Sequence, residues 1–373
     1  MIYFDNAATG GFKPNSVFRS ATTTLKYLLC NPNRSAHRLS IKSAEMVFNT
    51  RKIVSNFFNN GALDRVIFTK NCTESLNTAF FSLLKKGDHV ITTTFEHNST
   101  LRPLFYLKNN GVITLDIVSN GGGFYENIVK KVNKNTRLIT VNQVSNVTGE
   151  ENKDIYKIGK FCRENNILFS VDGAQSAGHI RIDMQKLNID ILSIPTHKGM
   201  LGISGGVLIL SDRVNPSPFI LGGTGTESFN LEQPLSLPER LESGTLNLPL
   251  IVSFFDSVSF VDKNLEKISA KLELLTESLI TKLNSFERVK VYSKKNKSGI
   301  VAFSVSPFSS MEVSEYLDKN YDIAVRSGYH CAPLMHKELK TTKDGLVRVS
   351  FAYENSIKEV DTLILALKNL LTS

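Results

Sequence analysis

Between Arg65 and Leu210 the chain repeats one alternation, and that alternation limits the fold more than any other feature. Short apolar, partly β-branched runs lie at Val66-Phe68, Val90-Thr93, Val112-Ile117, Leu138-Val141, Leu168-Val171, Ile191-Ile194 and Val207-Leu210, with helical patterns near 74–84, 99–108, 125–132 and 155–165 between them. Strands joined through helices cannot pair as hairpins. They pair in parallel, with the helices covering the sheet, so the sequence predicts an α/β fold. In such sheets ligands bind at the carboxyl ends of strands.

Two of those ends carry chemistry. Asp172 ends the run Leu168-Val171, and Lys198 follows Ile189 to Ile194 in the loop Pro195-Thr196-His197-Lys198-Gly199. A carboxylate at a buried strand end needs a cationic partner. An acid and a lysine at neighbouring strand ends are also the two groups pyridoxal phosphate requires: the acid keeps the pyridine nitrogen protonated and the lysine forms the Schiff base. Taken alone, the two residues favour the plainer reading of a buried ion pair.

The 373 residues suffice for two or three domains and a large core. The opening Met1-Ile2-Tyr3-Phe4-Asp5 lacks the basic and apolar regions of a secretion signal. No run approaches the roughly 20 apolar residues of a membrane span, which points to a cytoplasmic protein without a membrane partner. Cys30, Cys72, Cys162 and Cys331 are scattered with no C-x-x-C pair, so neither a disulfide framework nor a metal site is expected. The formal charge is +9. Its densest run, Lys294-Lys295-Asn296-Lys297, lacks interleaved aromatics and reads as a solvated face or a site for an acidic protein, not for nucleic acid.

Along the chain, Pro14 suits the first turn of a helix reaching about Leu29, broken by Asn31-Pro32-Asn33-Arg34. Apolar residues from Leu39 to Phe58 keep a helical period, and His37 stands just before them, where a surface histidine is an equal reading. Cys72-Thr73-Glu74-Ser75 follows a strand and opens a helix, so Thr73 can cap it while free amides bind a phosphate; a plain cap is the alternative. His97 and Asn146 each follow a strand end, and structural roles fit them equally. From Pro249 a long helical pattern runs to about Leu283. Strands at Val289-Tyr292, Ile300-Val305, Ile323-Val325 and Leu346-Phe351 follow, with capping-box spacings at Ser309-x-x-Glu312 and Ser356-x-x-Glu359. Between two of these strands Cys331 stands beside His330 and near Arg326, cationic surroundings of the kind in which a thiol acts as nucleophile.

Several of these stretches resemble one family. Val171-Asp172-Gly173-Ala174-Gln175 and His197-Lys198-Gly199 resemble the pyridine-binding and Schiff-base segments of fold type I pyridoxal-phosphate enzymes of the class V aminotransferase branch. Ser145-Asn146-Val147-Thr148-Gly149, Glu242-Ser243-Gly244-Thr245-Leu246-Asn247 and the opening Tyr3-Phe4-Asp5-Asn6-Ala7-Ala8 resemble further family segments. Arg326-Ser327-Gly328-Tyr329-His330-Cys331-Ala332-Pro333 resembles the active-cysteine loop of group II cysteine desulfurases, and Gly345-Leu346-Val347-Arg348-Val349-Ser350 the segment whose arginine binds the substrate carboxylate.

The resemblance implies a large domain over 14–248 with a mostly parallel seven-stranded sheet, in which Val207-Leu210 runs antiparallel, and a small α+β domain over 249–373. Residues 1–13 form an N-terminal segment near the active site. It implies pyridoxal 5'-phosphate as cofactor, bound by Asp172, Gln175, Cys72, Thr73, His197, Lys198, Asn146 and, across a homodimer boundary, Thr245. Lys198, Cys331 and His97 are then catalytic, His97 lying flat on the pyridine ring. Arg348, Asn146, His37 and Arg326 meet the substrate. The activity implied is conversion of L-cysteine to L-alanine, with a persulfide on Cys331 passed to a protein acceptor. L-Selenocysteine is the competing substrate, since selenocysteine lyases share the pattern. Other class V aminotransferases or lyases do not need Cys331. Pro195 stands where relatives carry a phosphate-binding Ser or Thr, and the glycine loop from Gly199 to Gly206 is altered; both features keep open a non-catalytic scaffold on the same fold.

Overall fold

The structure, a computed structural model, describes residues 1–32, 35–119 and 121–372. After a two-residue strand β1 (Ile2–Tyr3), the strands β2 (Val66–Thr69), β3 (Asp88–Thr93), β4 (Ile113–Val118), β5 (Thr136–Asn142), β6 (Leu168–Asp172), β7 (Ile191–Pro195) and β8 (Gly206–Leu210) follow. β2 to β8 make one seven-stranded sheet in the order β2-β8-β7-β6-β5-β3-β4. β3 to β7 pair in parallel, while β8 is antiparallel to both β7 and β2. The exception has a local cause: the connection 196–205 between β7 and β8 is too short for a crossover, so the chain turns straight back, whereas the longer connection 173–190 lets β6 and β7 run parallel without a helix. Every residue of β6, β7 and β8 is buried, as strands covered on both faces must be.

Helices α1 (Asn15–Thr23) and α2 (Arg38–Phe58) flank a π-helical turn over Thr24–Leu28. The expected break at Asn31-Pro32-Asn33-Arg34 falls partly on residues 33 and 34, outside the described residues. α3 (Cys72–Leu83), α4 (Asn98–Asn109), α5 (Phe124–Lys131) and α6 (Ile155–Glu164) alternate with the strands as the sequence predicts. The long helix α7 (Leu248–Leu283) buries Val261, Leu265, Ile268, Leu272, Leu275 and Leu279, a stripe at three- and four-residue spacing, and α1 and α2 pack on it.

The C-terminal part comprises β9 (Val289–Val291), β10 (Ile300–Val305), α8 (Ser310–Tyr321), β11 (Ile323–Ala324), α9 (Pro333–Glu338), β12 (Val347–Ser350) and α10 (Ile357–Thr372). β12-β10-β9 is an antiparallel sheet, and α8 opens on the expected capping box of Ser309 and Glu312. β1 pairs in parallel with β11, so the first residues of the chain join its last third, and Asp5 bridges to Ser350. α9, which the sequence did not signal, begins at Pro333 directly after the Cys331 loop.

Candidate active site

Adjacent strands β6 and β7 deliver Asp172 and Lys198 to one end of the sheet. Their two loops pack backbone against backbone. A Cβ on Gly199 would lie 2.4 Å from the Ala177 carbonyl oxygen and one on Gly178, whose φ is +84°, only 2.1 Å from that of Gly199, so only glycine lets the lysine loop settle there. Asp172 and Lys198 line one pocket of about 110 Å³ together with Cys72, Thr73, His97, Asn146, Gln175 and His197. Asp172 is buried; its Oδ1 accepts from the Ala174 amide at 2.9 Å and lies 3.9 Å from Cys72 Sγ. Among the described residues no ion pair joins it to Lys198, so the plainer sequence reading does not describe this pair.

Burial sets the electrostatics. It raises the Asp172 carboxyl, against the pull of the Ala174 amide and of Lys198. It lowers the Lys198 ammonium, with Arg348 and Arg326 adding to the effect while Cys72 and Asp172 oppose it. Lowering favours the neutral amine, the nucleophilic and basic form. Burial likewise pushes the Cys72 thiol well up, helped by the Asp172 charge, so Cys72 is a protonated thiol and not a second nucleophile.

His97 caps α4, its Nδ1 accepting from the Ser99 amide at 3.0 Å. Burial, then the cations Lys198, Arg326, Arg348 and Arg102, lower it to about 4. A ring that accepts at Nδ1 and stays neutral carries its proton on Nε2. Ser99, which the sequence did not single out, links this ring to the helix start below: its hydroxyl lies 2.9 Å from His97 Nδ1 and 2.8 Å from Thr73 Oγ1. The cap of α3 is Asn71, accepting from the Glu74 amide at 2.9 Å, and not Thr73 as expected. Thr73 is thereby left with its hydroxyl in the pocket, beside helix-start amides that have no intrahelical acceptor.

Pro195 lines the pocket and brings no donor. The next residue does not replace one, because the buried Thr196 hydroxyl donates to the Ile203 carbonyl. His197, lowered to about 4 chiefly by burial, pairs its Nδ1 with Thr9 Oγ1 at 3.0 Å, and Gln175 Nε2 donates to the Ala7 carbonyl at 3.0 Å. Ala7 and Thr9 of the N-terminal segment thus touch two of the residues that line the pocket. Asn146 Oδ1 and Gln175 Oε1 are buried without a partner. Two orphaned acceptors, a buried carboxylate, a readily neutralised lysine and a helix N-terminus are a donor set that fits pyridoxal phosphate.

Arg348 is fully buried, with Nη2 on Asp5 Oδ1 at 2.8 Å and Nη1 on the Asn146 carbonyl at 2.9 Å. Burial lowers it to about 10 although Asp5 opposes the shift. Its fork is thus half engaged inside the protein, and Nε is the nitrogen left without a partner. Asp5 is a second residue to which the sequence assigned no role of its own, although it lies in the opening segment Tyr3-Phe4-Asp5-Asn6-Ala7-Ala8.

Cys331 is exposed, lies 3.8 Å from Arg326 Nη2, and opens onto an adjoining groove of about 700 Å³ that shares Thr73, His97 and Ser99 with the pocket. His330 corrects the sequence reading. It is buried, driven far below the ordinary histidine range by desolvation and then by Arg348, and both ring nitrogens lack partners. It adds no charge beside the thiol; Arg326 supplies the cation.

Two expected residues lie elsewhere. His37 is exposed and caps α2, accepting from the Ser40 amide, with Nε2 3.7 Å from Cys30 Sγ. Thr245 is exposed in the loop before α7, outside the pocket of its own chain.

A family model described as aminotransferase class V matches residues 2–363. The chain belongs to the class V aminotransferase family. Members of that family depend on pyridoxal phosphate, in accord with the donor set above. Among its relatives, a probable cysteine desulfurase of Pyrococcus abyssi is 34% identical, the match covering 100% of this chain and 95% of the relative. Another from Borreliella burgdorferi is 32% identical over 100% and 92%. The apo structure of a cysteine desulfurase from Thermococcus onnurineus NA1 superposes with a TM-score of 0.92 at 30% identity, covering 100% of this chain and 94% of that one. The fold is that of the fold type I pyridoxal-phosphate enzymes, as the sequence implied.

Proposed function

We propose that the chain is a pyridoxal-phosphate-dependent cysteine desulfurase that takes sulfur from L-cysteine, releases L-alanine and holds the sulfur as a persulfide on Cys331 for a protein acceptor. The observation that carries this reading is the exposed thiol of Cys331, beside the Arg326 guanidinium, on a groove that opens into the Lys198 pocket. Full-length relatives named cysteine desulfurase at 32–34% identity support it.

When bound, pyridoxal phosphate supplies an electron sink for the substrate's α-carbon. In this reading Lys198 carries the cofactor and then moves the α-proton, Asp172 and Gln175 hold the ring, and His97 covers its face. Thr73, the amides at Cys72 and Thr73, and His197 meet the phosphate end. The substrate carboxylate goes to Arg348, with Arg326 toward the entrance, and Asn146 offers its unpartnered Oδ1 to a donor in the pocket. The Cys331 thiolate attacks the substrate sulfur. A sulfur–sulfur bond forms, the substrate's carbon–sulfur bond breaks, and its electron pair stays with the carbon, which takes a proton and leaves in alanine.

The active unit in this reading is a homodimer in the cytoplasm. Thr245, exposed and away from its own pocket, then serves the neighbouring subunit. The exposed Phe18 of α1, Leu25, Tyr27 and Leu29 in and just after the π-helical turn, and Ile41 and Phe48 of α2 support an apolar contact with a second copy. No helix among the described residues is long and apolar enough to cross a membrane.

Cys331→Ala tests the proposal. The visible spectrum of the loaded protein stays as in the parent and still changes when L-cysteine is added, while persulfide and most alanine formation disappear. Turnover of L-cysteine at the parent rate overturns the desulfurase reading in favour of a transaminase or β-lyase. L-Selenocysteine run alongside reports whether the lyase activity is spared.

A further inference from the structure

Cys331 sits on backbone that a non-glycine residue rarely adopts. His330 and Cys331 have φ of 49° and 57°, two consecutive left-handed residues. Such a turn persists only where its surroundings hold it. The turn closes on its own bond, from the Ala332 amide to the Tyr329 carbonyl at 3.0 Å, and two hydrogen bonds from distant residues hold its carbonyls. Asn146 Nδ2 donates to the His330 carbonyl at 2.7 Å, and the Asn98 amide donates to the Cys331 carbonyl at 2.8 Å. A carbonyl oxygen only accepts, so the Asn146 amide has one possible orientation, with Nδ2 on the loop. Its Oδ1 is buried without a partner, on a side chain that lines the Lys198 pocket. The residue is anchored from behind, where Arg348 donates to its carbonyl and is itself held by Asp5. One planar amide therefore has one end on the thiol loop and a free acceptor beside the pocket.

We propose that Asn146 is a positioning residue for Cys331, coupling what fills the Lys198 pocket to the placement of the thiol. A donor arriving at Oδ1 fixes the amide plane; the plane fixes the His330 carbonyl, and with it the left-handed turn that aims the sulfur. The inference rests on the reading of Cys331 as the sulfur-accepting residue for its purpose, and on geometry alone for its existence.

The test is the alkylation rate of Cys331 by iodoacetamide, located by peptide mass, in the full-length protein loaded with pyridoxal phosphate and stripped of it. Asn146→Asp keeps the shape and an acceptor toward the pocket but removes the donor to His330. In the parent, loading changes the rate. In Asn146→Asp the stripped rate differs from the parent's by about fivefold or more, the effect of losing one hydrogen bond, and loading no longer changes it. If Asn146→Asp does not fold, Asn146→Ser, too short to reach the loop, is read the same way. Asn98→Pro removes the other restraint at the first position of α4, where a missing N–H costs the helix nothing; it shifts the rate but keeps the response to loading. Parent rates in both states of the Asn146 variant overturn the proposal, as does loss of the response in Asn98→Pro alone. No L-cysteine turnover enters the measurement, so its outcome is separable from that of the desulfurase reading.

Discussion

Lys198 and Asp172 stand at the ends of β7 and β6, neighbouring strands in the middle of the large sheet, every residue of which is buried. Cys331 stands on a loop of the C-terminal part, exposed, with a left-handed backbone and restraints that come from residues about 180 and 230 positions earlier in the chain. The floor of the site is thus placed by the sheet itself, whereas the rim is a tight turn held in place by single hydrogen bonds from distant residues. The floor should tolerate changes of chemistry without losing shape. At the rim, shape and chemistry should change together.

Lys198→Ala gives the largest effect. General acid–base transfer is worth about 10²–10⁴-fold, so turnover of L-cysteine falls by at least that range. The fold stays intact, because burial already favours the neutral amine of Lys198 and its removal leaves no buried charge without a partner. A lowered melting temperature together with lost activity would show that the floor depends on this side chain after all.

Glu96 lies where floor and rim meet, and it titrates unusually. Its Oε1 accepts from Thr93 Oγ1 at 2.6 Å and from the Asn142 amide at 2.9 Å, Oε2 has no partner, and burial raises it to about 8. A folded value above the unfolded one means that its contribution is full below about pH 4.5 and is lost as pH rises toward 8. At 1.36 kcal/mol per unit this amounts to roughly 3–5 kcal/mol. His97 and His197, both lowered to about 4, act the other way, costing stability as pH falls from 6.5 toward 4. Glu96→Gln therefore gains on the parent steadily from about pH 5 to 8 in denaturant titrations. A constant difference across that range would refute a protonated Glu96.

Pro195→Ser supplies a hydroxyl at the floor without moving it. A hydrogen bond to a charged group is worth about 1.5–3 kcal/mol, so pyridoxal phosphate binds about 10- to 100-fold more tightly by equilibrium dialysis. Unchanged affinity would mean that another donor already serves the phosphate end. The smallest effect belongs to His37→Ala. As a cap of α2 it costs about 1 kcal/mol in urea unfolding, with turnover within twofold of the parent. A large loss of turnover would place His37 in the site of a second subunit.

The contrast between floor and rim also decides what could be read from the sequence. The seven strands and the helices α3 to α6 were legible because strand and helix periods differ and each run is bounded by polar turns. Asp172, Lys198 and the helix start at Cys72 were legible because a strand end fixes its own residue. Asn71 displaced Thr73 as cap since both are good caps and only backbone geometry chooses between them. Asp5, Ser99 and the neutral state of His330 were not legible: each depends on what a distant segment brings against it, and no local pattern records that. The partner of the Cys331 loop, Asn146, was visible as a residue but not as a clamp for the same reason.

The pairing of β1 with β11 bears on the order in which the site is completed. Ile2 and Tyr3 pair with a strand that begins at Ile323, and the partner of Asp5 is Arg348, 343 positions further along the chain. Contacts this far apart in sequence form late and slowly. The residues up to Leu210 hold the whole large sheet with Lys198 and Asp172, but not the Asp5–Arg348 pair that seats Asn146. The clamp on the Cys331 loop is therefore assembled only when Asp5, Asn146 and Arg348, drawn from three distant parts of the chain, have met, whereas the sheet beneath it needs none of them together.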